Sequence, residues 1–172
     1  MTRRASTTFL ASLAALPLVA LAVAGCGSAS GSSGPPTTAN GQPATVGIAN
    51  GGLGKILVNS KSRTLYLFRK DVGTKSECTG ACAQNWPPLG ANGKPTVGSG
   101  ANASLIGTTM RPDGKPQVTY NGHPVYLFVG DHKPGDTKGE GLTAFGGSWF
   151  ALSPAGNQVS GPPASPKGGY GY

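Results

Sequence analysis

The residues best able to do chemistry in this chain are two cysteines, two histidines and two aspartates. Cys78 and Cys82 stand in Cys78-Thr-Gly-Ala-Cys82. Two thiols at that spacing close a disulfide if a turn or bent helical turn brings their Cα atoms to about 5.5–6 Å. The same pair can instead work as a redox pair or a soft-metal site, since thiolates suit Cu(I) and imidazole completes such a site. His123 and His132 are the only histidines, so that alternative metal set is Cys78, Cys82, His123 and His132. Against it, His123 before Pro124 reads as a turn residue at a strand entry, and His132 in Asp-His-Lys-Pro as a solvated loop residue. Asp71 and Asp131 sit in matching strings sixty residues apart. Paired carboxylates serve acid/base work or hold a hard metal ion. An aspartate just past a strand also caps backbone N–H groups of the following loop, which is the simpler role. No Gly-x-Ser-x-Gly elbow, His-Glu-x-x-His or P-loop occurs. With six acidic residues and two histidines, little is left for general acid/base catalysis. The chain therefore reads as a non-enzyme with no catalytic residues and no cofactor.

The third cysteine, Cys26, concerns location. Arg3-Arg4 precede an apolar run from about Phe9 to Ala24 and then Val23-Ala24-Gly25-Cys26. A positive start, an apolar stretch and small residues before a cut mark a secretory signal. The run is too short, with the wrong flanks, for a spanning helix. Its last four residues resemble the lipobox of bacterial lipoproteins. That resemblance implies cleavage before Cys26, diacylation of its thiol with chains such as palmitate, and lipid anchoring on the extracytoplasmic face of a cell membrane. Each buried CH₂ contributes about 0.8 kcal/mol, so two or three chains hold a protein without a spanning helix. The residues after Arg3-Arg4 are Ala-Ser-Thr, which favours the general secretory route over a twin-arginine one. With Cys26 acylated, the remaining thiols form a single pair, and outside the cytoplasm a Cys78–Cys82 disulfide is expected.

Of the 172 residues, 147 remain from Cys26 onward, carrying 12 basic against 6 acidic side chains. The basic residues are scattered, with one local cluster from Lys61 to Lys75. That cluster can meet anionic headgroups or wall polymers, or form a solvated strand edge. An exported chain without a recognition motif is not expected to bind nucleic acid. The predicted partners are membrane lipid through Cys26 and an unidentified envelope polymer or protein. Gly and Pro make up about a quarter of the chain, near the level of disorder. They concentrate in a flexible linker, 26–47, and a disordered tail, 159–172. A linker of about twenty such residues reaches roughly 25 Å.

The part between, 48–158, contains a repeat. Lys55-Ile-Leu-Val58, Arg63-Thr-Leu-Tyr-Leu-Phe68 and Asp71 return as Lys115-Pro-Gln-Val118, His123-Pro-Val-Tyr-Leu-Phe128 and Asp131. At an offset of 63, Trp86 and Leu89 return as Trp149 and Leu152. Repeats of this kind share a core. Each unit reads as a β-hairpin: Lys55–Asn59 with Thr64–Arg69, and Gln117–Tyr120 with Pro124–Val129 around the Asn121-Gly122 turn signal. Alternation places Tyr66 and Phe68 on one face, and Leu65 and Leu67 on the other. Both faces are apolar, so these strands should be covered on both sides. Cys78–Ala83 reads as one helical turn before Pro87-Pro88, and Gly147–Leu152 as a strand. The predicted fold is mainly β: two related hairpin-based repeats, about 54–89 and 114–152, packed as one compact domain.

Tyr66-x-Phe68-x-x-Asp71 and Tyr126-x-Phe128-x-x-Asp131, together with Cys78, Cys82 and Trp86-Pro-Pro88, resemble the bacterial secreted-repeat lipoproteins. That family is described by a tandem Tyr-x-aromatic-x-x-Asp motif. The resemblance covers about 54–152 and implies no settled activity. Gly141 and Phe145 stand in the second unit where the first has Cys78 and Cys82, which confines cysteine chemistry to one repeat.

Overall fold

The computed structural model describes residues 43–159; the expected signal peptide, Cys26, most of the linker and nearly all of the tail lie outside them. Among the described residues the strands form three small sheets. β1 (Thr45–Gly51) and β2 (Gly54–Asn59) form an antiparallel hairpin, and β3 (Tyr66–Phe68) follows. A short helix, α1 (Ala81–Asn85), precedes Trp86, and β4 (Thr96–Val97) adds parallel to β1. The second unit repeats the plan with β5 (Ile106–Met110), β6 (Pro116–Tyr120) and β7 (His123–Pro124), then β8 (Thr143–Ala144) and β9 (Gly147–Ala151). Each expected hairpin is preceded by one further strand, β1 ahead of β2 in the first repeat and β5 ahead of β6 in the second. The linker was expected to run to Gly47, but β1 begins at Thr45.

Turn chemistry sets the local geometry. Asn121 and Gly122 both hold positive φ, 49° and 79°, as a two-residue type I′ turn needs. The first unit spends one more residue on the same connection. Leu65 N–H donates to the Leu57 carbonyl, whereas Val125 N–H donates to that of Val118. Leu57 is therefore the structural counterpart of Val118, one residue away from the Val58/Val118 match that the sequence offset indicates. A one-residue slip flips a side chain to the other face. Val58 accordingly packs in one core cluster and Val118 in the other.

Those two clusters lie on the two faces of the central strands. Tyr66, Phe68, Tyr126 and Phe128 enter an aromatic cluster with both tryptophans. Leu65, Leu67 and Val125 enter an aliphatic one with Leu57, Val118, Tyr120 and Leu152. Period-2 alternation with both faces buried is what the sequence predicts.

Partner choice is the unexpected part. β3 of the first repeat pairs with β9 of the second, matching Tyr66 to Ala151, Leu67 to Phe150 and Phe68 to Trp149. Reciprocally, Leu127 and Val129 of the second repeat donate to Pro87 and Asn85 of the first, and Leu89 donates to Val125. Pro87 and Pro88 have no N–H, so this half forms bridges rather than a regular strand. Between the two halves, Tyr66 N–H donates to Tyr126 and Tyr126 N–H to Tyr66, at 2.9 and 3.0 Å. The repeats thus exchange their tryptophan segments about a pseudo-twofold axis, within one chain.

Candidate functional site

The motif residues meet along that axis. Phe68, Trp149, Trp86 and Phe128 form one stack with successive centroid separations of 4.0, 3.9 and 4.3 Å. Tyr66 meets Trp86 edge-on and Tyr126 meets Trp149 edge-on. Each such pair contributes about 0.5–1.5 kcal/mol beyond its burial. Close approach is secured at Gly139, where a Cβ would come within 2.8 Å of Trp86 and 2.9 Å of Tyr66.

The hydroxyls are exchanged as the strands are. Tyr66 Oη donates to Asp131 Oδ2 at 2.7 Å, and Tyr126 Oη to Asp71 Oδ2 at 2.8 Å. The other carboxylate oxygens accept loop amides: Asp71 Oδ1 from Glu77 N–H and Asp131 Oδ1 from Lys138 N–H. Each aspartate caps its own loop and clasps the tyrosine of the other repeat. The two carboxylates occupy two separate sites.

The sites differ in their outer partners. Around Asp71, Tyr126 Oη meets Ser76 Oγ at 2.8 Å, and Ser76 accepts from Arg111 Nη1 at 2.9 Å. Arg111, 5% exposed, also donates to Gln117 Oε1 and to the Cys78 carbonyl, with Asp113 beside its Nε. Around Asp131, Gly139 N–H donates to Tyr66 Oη, while Glu140 accepts Ala151 N–H at 2.6 Å. Sequence reading singled out none of Ser76, Arg111, Gln117 and Glu140. Ser76, Arg111 and Gln117 have no matching residue type in the other repeat and no local motif, whereas Glu140 matches Glu77 at the offset of 63 that relates the tryptophans, a signal that could have found it.

Cys78 and Cys82 form a disulfide with Cα atoms 5.2 Å apart, both buried against Trp86 in the aromatic cluster. A ring this small contributes about 2 kcal/mol. His123 is half-buried and His132 exposed. Among the described residues no three His, Cys, Asp or Glu side chains gather to hold a metal. The structure therefore does not assemble the set Cys78, Cys82, His123 and His132. In the basic segment, Arg63 donates to Phe128 O, Lys70 to Phe145 O, and Lys75 pairs with Glu77.

Burial pushes the Asp71 carboxyl up to about 6, against the opposing pull of Glu77 N–H and Tyr126. Burial also raises Asp131 and Glu140. Burial and the neighbouring aspartate raise both motif tyrosines, and burial beside Arg69 lowers His123. A carboxyl raised in the folded state binds more protons there than when unfolded, so its stabilising effect is full at low pH. For Asp71 that effect is lost as pH rises from 3.8 through about 6. Thermal scans should give a Tm that falls between pH 4 and pH 7. Asp71→Asn should flatten the slope; a Tm that climbs over that range contradicts the assignment.

Comparison with known proteins finds the same two repeats in the sequence. A family model described as a secreted repeat of unknown function matches residues 47–90 and 107–153. No curated protein and no solved structure matches the chain. The two matched segments are the two repeats that exchange tryptophan segments, and together they span more than half the chain: this protein belongs to the secreted-repeat family.

Proposed function

We propose that the protein is an exported lipoprotein, anchored through acylated Cys26 on the extracytoplasmic face of the cell membrane, where it acts as a non-catalytic binding or structural module. The observation that carries this reading is the Val23-Ala24-Gly25-Cys26 sequence behind its apolar run. Membership of a secreted-repeat family supports it. No helix among the described residues is long and apolar enough to cross a membrane. The non-catalytic part is supported by how the polar groups are spent: Asp71, Asp131, Arg111 and Glu140 are each engaged in holding strands or loops. No observation favours copper binding by Cys78 and Cys82.

The test is fractionation of cells expressing the full chain. The wild-type protein should partition with membranes and label with a palmitate analogue. Cys26→Ser should lose the label and appear in the soluble or released fraction. Unchanged membrane association of the serine variant would remove the anchor.

A further inference from the structure

The chain enters its folded part at an end where cations gather. β1 begins at Thr45, and Val46 lies opposite Asn59, the last residue of β2. Asn59 Oδ1 accepts the Lys61 and Arg63 amides, so the following turn projects Lys61 from that same end. At the exit of the turn, Arg63 donates to Phe128 O at 3.3 Å and Thr64 Oγ1 to Asp136 O at 2.6 Å. Those two bonds bring the 129–138 loop of the second repeat, with Lys133 and Lys138, to the entry of the first. β4 starts beside Thr45, with Thr96 N–H donating to Ala44 O, which adds Lys94 from just ahead of it. Lys61, Lys94, Lys133 and Lys138 are all exposed, and so is Val129.

The acidic groups of this end are turned inward. Asp131 is buried on Tyr66, and Asp136, its side chain 9% exposed, accepts the His132 and Lys133 amides. Lys138 lies 3.6 Å from Asp136, while Lys61, Lys94 and Lys133 join no ion pair among the described residues. Arg69, Lys70 and Lys75, the rest of the basic segment that begins at Lys61, lie past the other end of β3. The fold thus divides that segment and completes one half of it from the second repeat.

We propose that this end is a docking surface for the anionic phospholipid headgroups of the membrane that holds Cys26, with Lys61, Lys94, Lys133 and Lys138 as its phosphate contacts. The proposal rests on the lipid-anchor reading above. Direction is what favours lipid over a soluble polyanion. Pro43 stands seventeen residues after Cys26, and none of residues 27–42 is charged. The sequence-based reach of such a segment is roughly 20–25 Å. Each basic residue near an anionic surface strengthens binding about fivefold, so four give roughly several hundredfold. That is weak for a free protein. A tether of this length supplies an effective concentration in the millimolar range, at which it suffices. The domain then stands entry end down, with Arg69, Lys70 and His123 directed away from the bilayer.

The test uses the chain as it stands after the proposed cut, residues 26–172 with Cys26→Ser, which reads the surface without an acyl chain. Cosedimentation is measured with vesicles of phosphatidylglycerol and phosphatidylcholine in equal parts, and of phosphatidylcholine alone. Binding to the anionic vesicles should exceed binding to the neutral ones by about a hundredfold at low ionic strength. It should collapse in about 1 M salt, where charges are screened within about 3 Å. Lys61→Glu, Lys133→Glu and Lys138→Glu together should abolish the preference. Lys55→Glu, Arg69→Glu and Lys70→Glu, the same charge change at the other end of β2 and β3, should weaken it less than about tenfold. All six side chains are exposed, and urea midpoints near that of the parent check that both variants fold. Equal losses in the two triple variants overturn the proposal, as does the absence of a preference for the anionic vesicles. Binding to soluble poly(glycerol phosphate) but not to vesicles also overturns it, and would identify a wall polymer as the ligand. Each of these results leaves the anchor standing, since acylation is read separately by the palmitate label.

Discussion

Trp149→Ala should destabilise the protein by about 3–5 kcal/mol, the range for emptying a large aromatic from a packed core. Its ring is fully buried and touches Phe68, Trp86 and Tyr126 at once. Removing it breaks the middle of the stack and the packing of both repeats together. Native domains are stable by only about 5–15 kcal/mol, so most of that margin goes. Urea denaturation measures it. Trp149→Phe, which keeps a ring between Phe68 and Trp86, should cost clearly less. A cost under about 1 kcal/mol for the alanine variant would mean that the stack does not hold the repeats together.

Arg111→Ala should cost about 2–3 kcal/mol or more, since each buried acceptor left without its donor costs about 1–3 kcal/mol. Its guanidinium bridges the first repeat, at Ser76 and the Cys78 carbonyl, to Gln117 of the second. Without it, three buried acceptors lose their donor. Arg111→Lys should recover little, because an ammonium cannot present donors to all three in the planar fork. Denaturation midpoints of both variants, with and without reductant, check this. The reduced wild-type protein should lose only the smaller disulfide contribution, about 2 kcal/mol. Full rescue by lysine would show that charge alone matters at this position.

The core-facing residues were legible because they obey a strict local rule. Tyr66, Leu67 and Phe68 alternate with period 2, and the same string returns at 126–128, so faces and repeat could be read directly. The Asn121-Gly122 turn was equally plain. β1 and β5 were not, because Ile48-Ala-Asn-Gly51 and Gly107-Thr-Thr-Met110 show little apolar alternation. Their pairing comes from the neighbouring strand. The extra residue before Leu65 hid the true match of Leu57 with Val118, since identity of residue type favoured Val58. Exchange of the tryptophan segments lay beyond local reading altogether. Trp86 and Trp149 have the same flanking chemistry whether they pack in their own repeat or in the other. Arg111 is a lone cation in a polar turn, and only the folded chain shows that it is buried.

This exchange accounts for the motif as well as for the fold. A tyrosine and an aspartate five residues apart are not partners; each serves the opposite repeat. Two copies of the motif are then the smallest complete set, since one copy leaves both a phenol and a carboxylate unpaired in the core.

Double-mutant cycles between the tyrosines and aspartates test that claim most directly. Tyr66→Phe and Tyr126→Phe are combined with Asp71→Asn and Asp131→Asn, and stability is measured for every combination. Coupling of about 1–3 kcal/mol should appear for Tyr66 with Asp131 and for Tyr126 with Asp71. It should be near zero for Tyr66 with Asp71 and for Tyr126 with Asp131. Coupling within each repeat instead of across them would contradict the exchanged architecture.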